Sequence, residues 1–399
     1  MKKILLIICL TLSLFGCSNW EQIHINGNKS TKVHAVWISY VDYSHILTGK
    51  SQEEFAEEIQ KIMTNLETLG INRIYLHASM FTDAIYQSEY YPWSRHASGE
   101  IGKALSYDPF EMLVNEATLR NIDVEAWINP LRSYNEDEMS GLSDGYIIKS
   151  WYNDEELRTN NLMLVNGRYY LNPGSSDVVE LVENIVKELC TKYNIKGVHI
   201  DDYFFPSGIS EDSDMATYNK YIEENPEATL AEYRVASIDN LVNRMFTTIK
   251  SVNENLVFSI SPSADIERNL NEYYADVVKW IQNPGYCDVI IPQIYFAFEN
   301  DLLPFEQVVE SWNEIMNKRV DIVYGLAAYK VGKVDEWAGT GKNEWIENIG
   351  ILASQFELVK EQKFYDGIAL YSYYPMFYPE SSIRQQMKVE LSKLKDAMK

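Results

Sequence analysis

The sequence has few of the residues that several protein classes require. Only 4 of its 399 residues are cysteine and 6 are histidine, and no spacing among them is typical of a zinc site. Lysine and arginine (35) are outnumbered by aspartate and glutamate (58), and the formal net charge of −23 opposes non-specific binding to nucleic acid phosphates. No Gly-rich dinucleotide or phosphate loop follows a predicted strand. We therefore expect no metal, no cofactor and no nucleic acid partner.

Long hydrophobic runs are also scarce, and the most prominent one is N-terminal. Two lysines precede an apolar run at 4–15, which ends in Gly16-Cys17. The run is too short to span a bilayer as a mature helix, but its basic start and terminal small residue are typical of an export signal. Because a cysteine follows at once, residues 1–16 are predicted to be a lipoprotein signal peptide and Cys17 the lipidated residue. Residues 17–32 then form a polar spacer between lipid and domain.

A lipid anchor at Cys17 places the protein in the cell envelope, tethered to a membrane and facing outside the cytoplasm. Cys9 would leave with the signal peptide, so that Cys190 and Cys287 remain as thiols in the mature domain. The two could form one disulfide, but both fall within helix or strand patterns. We expect them to be buried thiols.

From residue 33 onward, strand patterns alternate with amphipathic helix patterns. Strands are predicted at 33–40, 73–78, 123–128, 197–200, 256–260, 288–295, 321–327 and 367–371. Helices are predicted at 51–69, 108–120, 176–193, 230–252, 271–281, 305–317, 344–362 and 382–398. Eight parallel strands with helical crossovers predict an α/β protein that closes into a (β/α)8 TIM barrel rather than an open doubly wound sheet. No composition break divides 33–399, so one catalytic barrel domain is expected.

The active site of such a barrel lies at the C-terminal ends of its strands. The residues there are polar, acidic and aromatic, and they include Ser39, Asp83, Asn129, Arg132, Asp201, Asp202, Tyr203, Ser261, Gln293, Tyr295, Lys330 and Tyr373. They contain neither a cluster of histidine ligands nor a serine nucleophile elbow. Glycoside hydrolysis needs one acid to protonate the leaving oxygen and one carboxylate as base or nucleophile. This set of side chains therefore predicts a glycoside hydrolase.

The segment 197–206 is the most informative part of the chain. A four-residue strand pattern ends in Asp201 and Asp202, which three aromatic residues and Pro206 follow. Adjacent strand residues point to opposite faces, so one carboxylate is expected to face a pocket and the other the rim or the packing. Two close carboxylates raise one another's pKa, which suits an acid that keeps its proton near neutral pH. We predict Asp202 as general acid and Asp201 as its orienting neighbour; capping or ion binding is the alternative.

The second catalytic carboxylate is open among three candidates. Asp83 lies on the loop after the second strand, Glu125 within the third strand, and Glu299 beyond the sixth. Asp83 is predicted as the base, but the same residue could equally brace its loop. Assistance by an N-acetyl group of the substrate would remove the need for a second carboxylate.

The remaining polar and aromatic residues at the strand ends are predicted to bind substrate. Arg132 is expected to meet a lactyl or other carboxylate in a bidentate contact, unless it pairs with a neighbouring acid. Trp37 and Trp127, with Tyr373, would form either a sugar platform or part of the core. The predicted substrate-binding residues are Asn129, Arg132, Tyr203, Gln293, Tyr295, Lys330 and Tyr373.

Several motifs also resemble, in one order along the chain, those of the glycosyl-hydrolase-like 10 family, once called domain of unknown function 187. They are AVWISY at 35–40, FTDAIY at 81–86, YDP at 107–109, AWINPLR at 126–132, LNPG at 171–174, the whole of 197–206, ISP at 260–262, IPQIY at 291–295, GLAAYK at 325–330 and YDG at 365–367. The resemblance covers nearly all of 33–378. Asp201 and Asp202 lie in the family's most recognisable motif, and Asp83 lies in another.

The resemblance implies an exported or lipid-anchored TIM-barrel hydrolase that cleaves β-linked glycans of the cell envelope. Some members are similar to enzymes that cut peptidoglycan strands stripped of their stem peptides. The expected partner is therefore a polysaccharide or peptidoglycan glycan strand, with the membrane reached only through the lipid anchor. The alternative is a surface lipoprotein that binds glycans without cleaving them. A carbohydrate deacetylase is disfavoured because it usually needs a metal site.

Overall fold

The computed structural model describes residues 32–399. The predicted signal peptide at 1–16 and the predicted lipidation site Cys17 lie outside the described residues. Within that range the strands are β1 (Val33–Ile38), β2 (Arg73–Ser79), β3 (Asp123–Ile128), β4 (Arg132–Asn135), β5 (Leu162–Val165), β6 (Arg168–Leu171), β7 (Gly197–Ile200), β8 (Val257–Ile260), β9 (Val289–Ile290), β10 (Gln293–Ile294), β11 (Asp321–Leu326) and β12 (Gly367–Leu370).

The helices connect these strands and cover the outside of the sheet. They are α1 (Tyr40–Ile46), α2 (Gln52–Leu69), α3 (Arg95–Ser98), α4 (Pro109–Leu119), α5 (Glu136–Gly141), α6 (Ile147–Asn153), α7 (Glu155–Asn161), α8 (Ser176–Lys192), α9 (Met215–Glu224), α10 (Leu230–Val252), α11 (Ile266–Asn271), α12 (Val277–Gln282), α13 (Phe305–Ile315), α14 (Glu344–Glu347), α15 (Ile351–Lys360), α16 (Tyr373–Phe377) and α17 (Arg384–Ala397). Single 3₁₀ turns lie at Glu211–Asp214, Ala328–Lys330 and Gly339–Gly341. None of the helices within 32–399 is long and apolar enough to cross a membrane.

The main sheet is a closed parallel barrel. Around it the order is β1-β2-β3-β7-β8-β9-β11-β12, and β12 pairs with β1 to complete the circle. The sixth position is shared by β9 and β10, because Pro292 between them has no N–H to donate to the ladder. The predicted (β/α)8 TIM barrel is confirmed.

Local sequence signals placed most element ends correctly. Ser51 caps α2 by accepting the Glu54 amide, and Gly70 ends the helix in the left-handed conformation at φ 82°. The predictions of single helices at 271–281 and 344–362 were wrong. The first is replaced by α11 and α12, each with its own aspartate cap. The second is divided by Gly350, whose φ of 106° interrupts the helix.

A second, antiparallel sheet of order β4-β6-β5 lies in the insertion after β3. Asn166 and Gly167, both at positive φ, join β5 to β6. This Asn-Gly pair between apolar runs is a strong hairpin signal, which our strand assignment missed. The sheet matters for the site because Arg132 begins β4, directly after the end of β3.

The described residues pack into two hydrophobic cores. The larger core lies between the strands and the surrounding helices and contains Cys190 and Cys287, which are buried free thiols as predicted. The smaller core fills the barrel interior with Ala35, Trp37, Tyr75, Trp127, Val289, Ile291, Val323 and Ala369. Trp37 and Trp127 are 2% and 4% exposed, so they belong to the core and do not offer a sugar platform.

A column of polar groups also runs through the barrel interior. Trp37 Nε1 donates to His199 Nε2 at 3.0 Å, and His199 Nδ1 lies 2.7 Å from Ser259 Oγ. Ser259 in turn donates to Glu125 Oε2 at 2.5 Å, and Glu125 forms a 3.0 Å ion pair with Arg73. Glu125 is fully buried and engaged by these groups. We therefore remove it from the candidates for the second catalytic carboxylate.

Candidate active site

The carboxylate pair lies directly above the barrel interior. His199 points inward, where its ring stacks on Tyr75 at 4.3 Å. Asp201 is two residues further along and leaves the strand on the same side, toward Asn129 at the end of β3. Asp202 instead meets the side chain of Gln293, which belongs to the sixth barrel position. Both carboxylates thus face the mouth of the barrel, from different sides.

Asp201 is the more deeply held of the two. Its side chain is buried, and Asn129 Nδ2 lies 3.0 Å from both of its oxygens. The Tyr203 amide donates to Oδ1 at 3.2 Å. Burial raises the pKa of Asp201 and the charge of Asp202 raises it further, whereas these hydrogen bonds and Arg132 partly oppose the rise. Asp201 is therefore fixed in place with most of its acceptor capacity used.

Asp202 is only half-buried and has fewer partners. Burial raises its pKa, and a hydrogen bond with the Gln293 side chain opposes this effect. Because two adjacent carboxylates resist ionising together, the pair keeps one proton to a higher pH than an isolated carboxyl group. Asp202 is the more accessible member and is placed to contact a substrate.

His77 controls the orientation of the Asn129 amide. The His77 ring is buried and stacks on Trp127 at 3.7 Å, and burial lowers its pKa well below the usual value, so that it is neutral. Its Nε2 is hydrogen-bonded to Asn129 Oδ1. A carbonyl oxygen can only accept, so Nε2 carries the proton and the amide NH₂ group points to Asp201. The sequence analysis missed His77, although strand alternation places it inward.

Arg132 has a guanidinium group with no ionic partner in residues 32–399. Its Cζ lies 4.3 Å from the centre of the Tyr203 ring and 4.6 Å from that of Phe81. The alternative in which Arg132 forms an ion pair with a neighbouring acid is not observed; burial lowers its pKa, but the neighbouring tyrosines and Asp201 together raise it by more. Tyr203 is 41% exposed. Arg132 and Tyr203 therefore present a stacked cationic and aromatic surface at the mouth.

Several buried polar atoms around the mouth lack a hydrogen-bond partner in the described part of the chain. They are His77 Nδ1, Trp127 Nε1, Arg132 Nε and Ser261 Oγ. Native proteins satisfy nearly all buried polar groups, so these four atoms are available to a polar ligand or to water at the mouth.

Gln293 and Tyr295, which are predicted to bind substrate, lie near the carboxylates. Gln293 Nε2 donates to the Ser261 carbonyl at 2.9 Å, and its side chain also reaches Asp202. Burial and neighbouring tyrosines raise the pKa of Tyr295, with smaller contributions from the charges of both aspartates. The Tyr295 ring stacks with that of Tyr371 at 5.7 Å.

Two of the predicted binding residues are engaged elsewhere. Tyr373 is fully buried and accepts a 2.9 Å hydrogen bond from Asn65 on α2, so its prediction as a substrate contact was wrong. Strand β12 ends at Leu370. Tyr371, which is two residues after the inward Ala369, lies at the mouth of the barrel where Tyr373 was expected. Lys330 forms a 2.6 Å ion pair with buried Asp335.

The other carboxylate candidates have different surroundings. Asp83 is buried, and its Oδ1 accepts the amides of Met80 and Phe81 at 3.2 Å and 2.9 Å. These contacts favour the loop brace over a catalytic base. Glu299 is exposed on the loop after the sixth barrel position and remains a candidate. Within 32–399, no group of three or more His, Cys, Asp or Glu side chains is arranged to hold a metal ion.

A cleft of about 920 Å³ lies on the flank of the barrel rather than at its mouth. It is bordered by α8, α9 and α10, and its lining includes Glu180, Lys220, Tyr221 and Asn240. None of the predicted site residues lines it. The cleft is therefore separate from the carboxylate pair.

The sequence matches a known family and curated relatives over most of its length. The family model for glycosyl hydrolase-like 10 matches residues 32–339. The chain is 29% identical over 357 residues to glycosyl hydrolase YngK of Bacillus subtilis (strain 168), covering 84% of this chain and 68% of the relative. It is also 29% identical over 337 residues to glycosyl hydrolase DigH of Escherichia coli (strain K12), covering 78% of this chain and 74% of the relative.

Solved structures share the fold at low sequence identity. The glycoside hydrolase domain of PgaB (BpsB) from Bordetella bronchiseptica superposes with a TM-score of 0.58 at 13% identity, covering 92% of this chain and 99% of that chain. Alpha-L-fucosidase isoenzyme 2 from Paenibacillus thiaminolyticus gives 0.56 at 12% identity, covering 92% and 49%. At this identity the likeness supports the barrel fold alone.

Proposed function

We propose that this chain, which belongs to the glycosyl hydrolase-like 10 family and is a glycoside hydrolase, cleaves peptide-free peptidoglycan glycan strands by carboxylate acid catalysis. The observation that carries the proposal is the close association of two carboxylates of raised pKa with an unpaired arginine at the barrel mouth. The two carboxylates supply the chemistry. The positive charge of the arginine matches the free lactyl carboxylate that such strands expose once their peptides are removed.

Asp202 acts as general acid in this proposal. It is the more accessible carboxyl group, and it donates its proton to the glycosidic oxygen as the bond to the sugar breaks. The pair holds one proton, and its reactive form is the one with this proton on Asp202 and with Asp201 ionised beside Asn129 and the Tyr203 amide. The attacking group is the carboxylate of Glu299, an activated water, or the acetamido oxygen of the substrate.

Arg132 selects the substrate. Its guanidinium group already contacts two aromatic rings, so less side-chain entropy is lost when it binds a carboxylate. Replacing Arg132 with glutamine is expected to lower kcat/KM about 10- to 100-fold on lactyl-bearing strands, the usual effect of losing a charge-assisted hydrogen bond. Release of reducing ends from purified peptide-free strands measures this effect.

The matched control substrate is a β-1,4-linked N-acetylglucosamine polymer, which has the same backbone but no lactyl group. The Arg132→Gln variant should cleave it about as well as the wild type does. An equal loss of kcat/KM on both polymers would contradict the role in substrate selection, and a wild type inactive on lactyl-bearing strands would refute the proposed substrate.

His77 is expected to position the catalytic pair without touching substrate. In His77→Leu the Asn129 amide loses its fixed orientation and can turn its oxygen toward Asp201, which raises the pKa of Asp201. The acidic limb of the kcat/KM profile should then move to higher pH, with a fall in kcat of about tenfold. His77→Gln can still donate to Asn129 Oδ1 and should restore the wild-type limb. An unchanged pH profile in the leucine variant would count against this role.

The location of the enzyme is proposed from the sequence alone. The basic start, the apolar run at 4–15 and Gly16-Cys17 support export followed by lipidation of Cys17. A lipid-anchored barrel outside the cytoplasm would have direct access to envelope glycans.

A further inference from the structure

Two loops at the barrel mouth are joined by hydrogen bonds into one rim. The loops follow the sixth and seventh barrel positions and span 295–304 and 327–343. Asp301 accepts from Thr340 N at 2.8 Å and from Thr340 Oγ1 at 2.5 Å, and its own amide donates to the Ala338 carbonyl at 3.2 Å. Gly339 permits this close approach, because a Cβ there would lie 2.0 Å from the Asp301 carboxylate.

The second of these loops is also braced internally. Buried Asp335 accepts from Lys330 Nζ at 2.6 Å, and its amide donates to the Lys342 carbonyl at 2.8 Å. The Trp337 amide lies 3.4 Å from Asp335 Oδ1. These contacts explain Lys330 as a loop brace and fix the backbone on both sides of Trp337.

The braced loop holds one tryptophan almost completely in solvent. Trp337 is 89% exposed, and Leu302 on the partner loop is 81% exposed beside the Asp301–Ala338 contact. By contrast, Trp37, Trp127, Trp151, Trp280, Trp312 and Trp345 are all less than 5% exposed. Scattered exposed apolar residues are ordinary, but a fully exposed indole on an ordered loop forfeits a large burial free energy and is typical of a binding surface.

We propose that Trp337, with Leu302, is a platform that binds distal sugars of a polymeric glycan whose cleavage point lies at the carboxylate pair. The inference rests on the proposed function. Both residues lie on loops at the C-terminal end of the barrel, the same end as Asp201 and Asp202, so a chain that leaves the mouth can cross this rim. An indole face stacks on the apolar C–H face of a sugar ring.

Charge distinguishes a glycan from a membrane surface as the occupant. Glu336 flanks Trp337, Asp301 flanks Leu302, and the chain carries a net charge of −23. Anionic lipid surfaces attract segments with an excess of basic residues, and the two loops have no such excess, because four acidic residues face Lys330, Lys333 and Lys342. A sugar ring is uncharged, and its hydroxyl groups can donate hydrogen bonds to acidic side chains such as Glu336. A glycan is therefore compatible with this rim.

The test compares long peptide-free glycan strands with a tetrasaccharide of the same repeat. Trp337→Ala should raise KM on long strands about five- to tenfold, leave kcat unchanged, and leave kcat/KM on the tetrasaccharide unchanged. Trp337→Phe should retain part of the effect. The matched control is Leu119→Ala, because Leu119 is 78% exposed at the end of α4 and therefore at the opposite end of the barrel. Equal losses on both substrates would overturn the platform.

A binding assay separates this inference from the proposed chemistry. In an Asp202→Asn background, Trp337→Ala should weaken co-sedimentation with long strands by the same five- to tenfold factor. Unchanged binding would overturn the platform even if hydrolysis is confirmed. A Trp337-dependent blue shift of fluorescence on phosphatidylglycerol vesicles, absent with strands, would also overturn it and assign the rim to a membrane. If the wild type binds long strands through Trp337, so that Trp337→Ala weakens the binding, but does not cleave them, the proposed function fails and the platform stands.

Discussion

Replacing Asp202 with asparagine is expected to lower kcat on glycan strands by about 10²- to 10⁴-fold, the usual contribution of a general acid. Asparagine has the same shape and can keep a hydrogen bond with Gln293, but it cannot protonate the leaving oxygen. Binding of strands should be nearly unchanged, because the variant keeps Arg132, Tyr203 and Tyr295 in place. Steady-state release of reducing ends and co-sedimentation with strands measure the two properties separately.

The leaving group distinguishes an acid from the other roles of a carboxylate. The dinitrophenolate group of a dinitrophenyl glycoside departs without protonation. Asp202→Asn should therefore cleave this substrate at most of the wild-type rate. A loss of equal size on the strands and on the activated substrate would assign Asp202 to nucleophile or base. If Asp201→Asn shows the leaving-group dependence instead, the two aspartates exchange roles.

The pH dependence supplies a second, independent readout. Burial and the neighbouring carboxylate both raise pKa values within the pair, so the wild type should stay active above the ordinary carboxyl range and lose activity as the acid ionises. In Asp201→Asn the second carboxyl group is absent, so the remaining one no longer ionises against a neighbouring negative charge. The alkaline limb of the profile should therefore move to lower pH.

The barrel could be predicted because its signals are local. Period-two strand patterns and amphipathic helices gave the bounds of β3 and β7 as observed, and Ser51 and Gly70 marked the ends of α2. Eight repeats of one local pattern leave few closed topologies. Pro292, which divides the sixth barrel position into β9 and β10, is also visible in the sequence, although we predicted a single strand at 288–295.

Side-chain directions beyond strand ends could not be predicted in the same way. Alternation suggests that one of Asp201 and Asp202 faces away from the pocket, but the strand ends at Ile200 and the chain is free to turn Asp202 toward Gln293. The same loss of periodicity misplaced Tyr373, whose position at the mouth is taken by Tyr371.

Partners from distant parts of the chain explain the other errors. Glu125 looked like a candidate base because its strand position is inward, which is correct. Its partners Arg73 and Ser259 lie 52 and 134 residues away, and no local pattern reveals that they meet inside the barrel. Asp83 differs, because its brace to Met80 and Phe81 spans three residues and was foreseen as one of two alternatives.

Replacing Glu125 with alanine is expected to lower the free energy of unfolding by about 3–5 kcal/mol, as observed when one partner of a buried ion pair is removed. The side chain is fully buried, and its loss leaves Arg73, whose side chain is only 12% exposed, with Asp123 as its ionic partner. Denaturant unfolding followed by circular dichroism measures the change. Asp396→Ala, which removes an exposed pair with Lys399, is the control and should change stability by less than about 0.5 kcal/mol.

The effect of Glu125→Ala should also reach the active site. Trp37 donates to His199, His199 to Ser259, and Ser259 to Glu125, so Glu125 is the acceptor at which this column of hydrogen bonds ends. Without it the Ser259 hydroxyl has lost the acceptor of its proton and can turn away from its present position. His199 lies two residues before Asp201 on the same inward face. We therefore expect the side chains packed beneath the carboxylate pair to be less firmly positioned. We expect kcat to fall in folded Glu125→Ala, whereas Glu125→Gln, which can still accept from Ser259, should keep most of it. Full activity and wild-type stability in the alanine variant would show that the column contributes to neither.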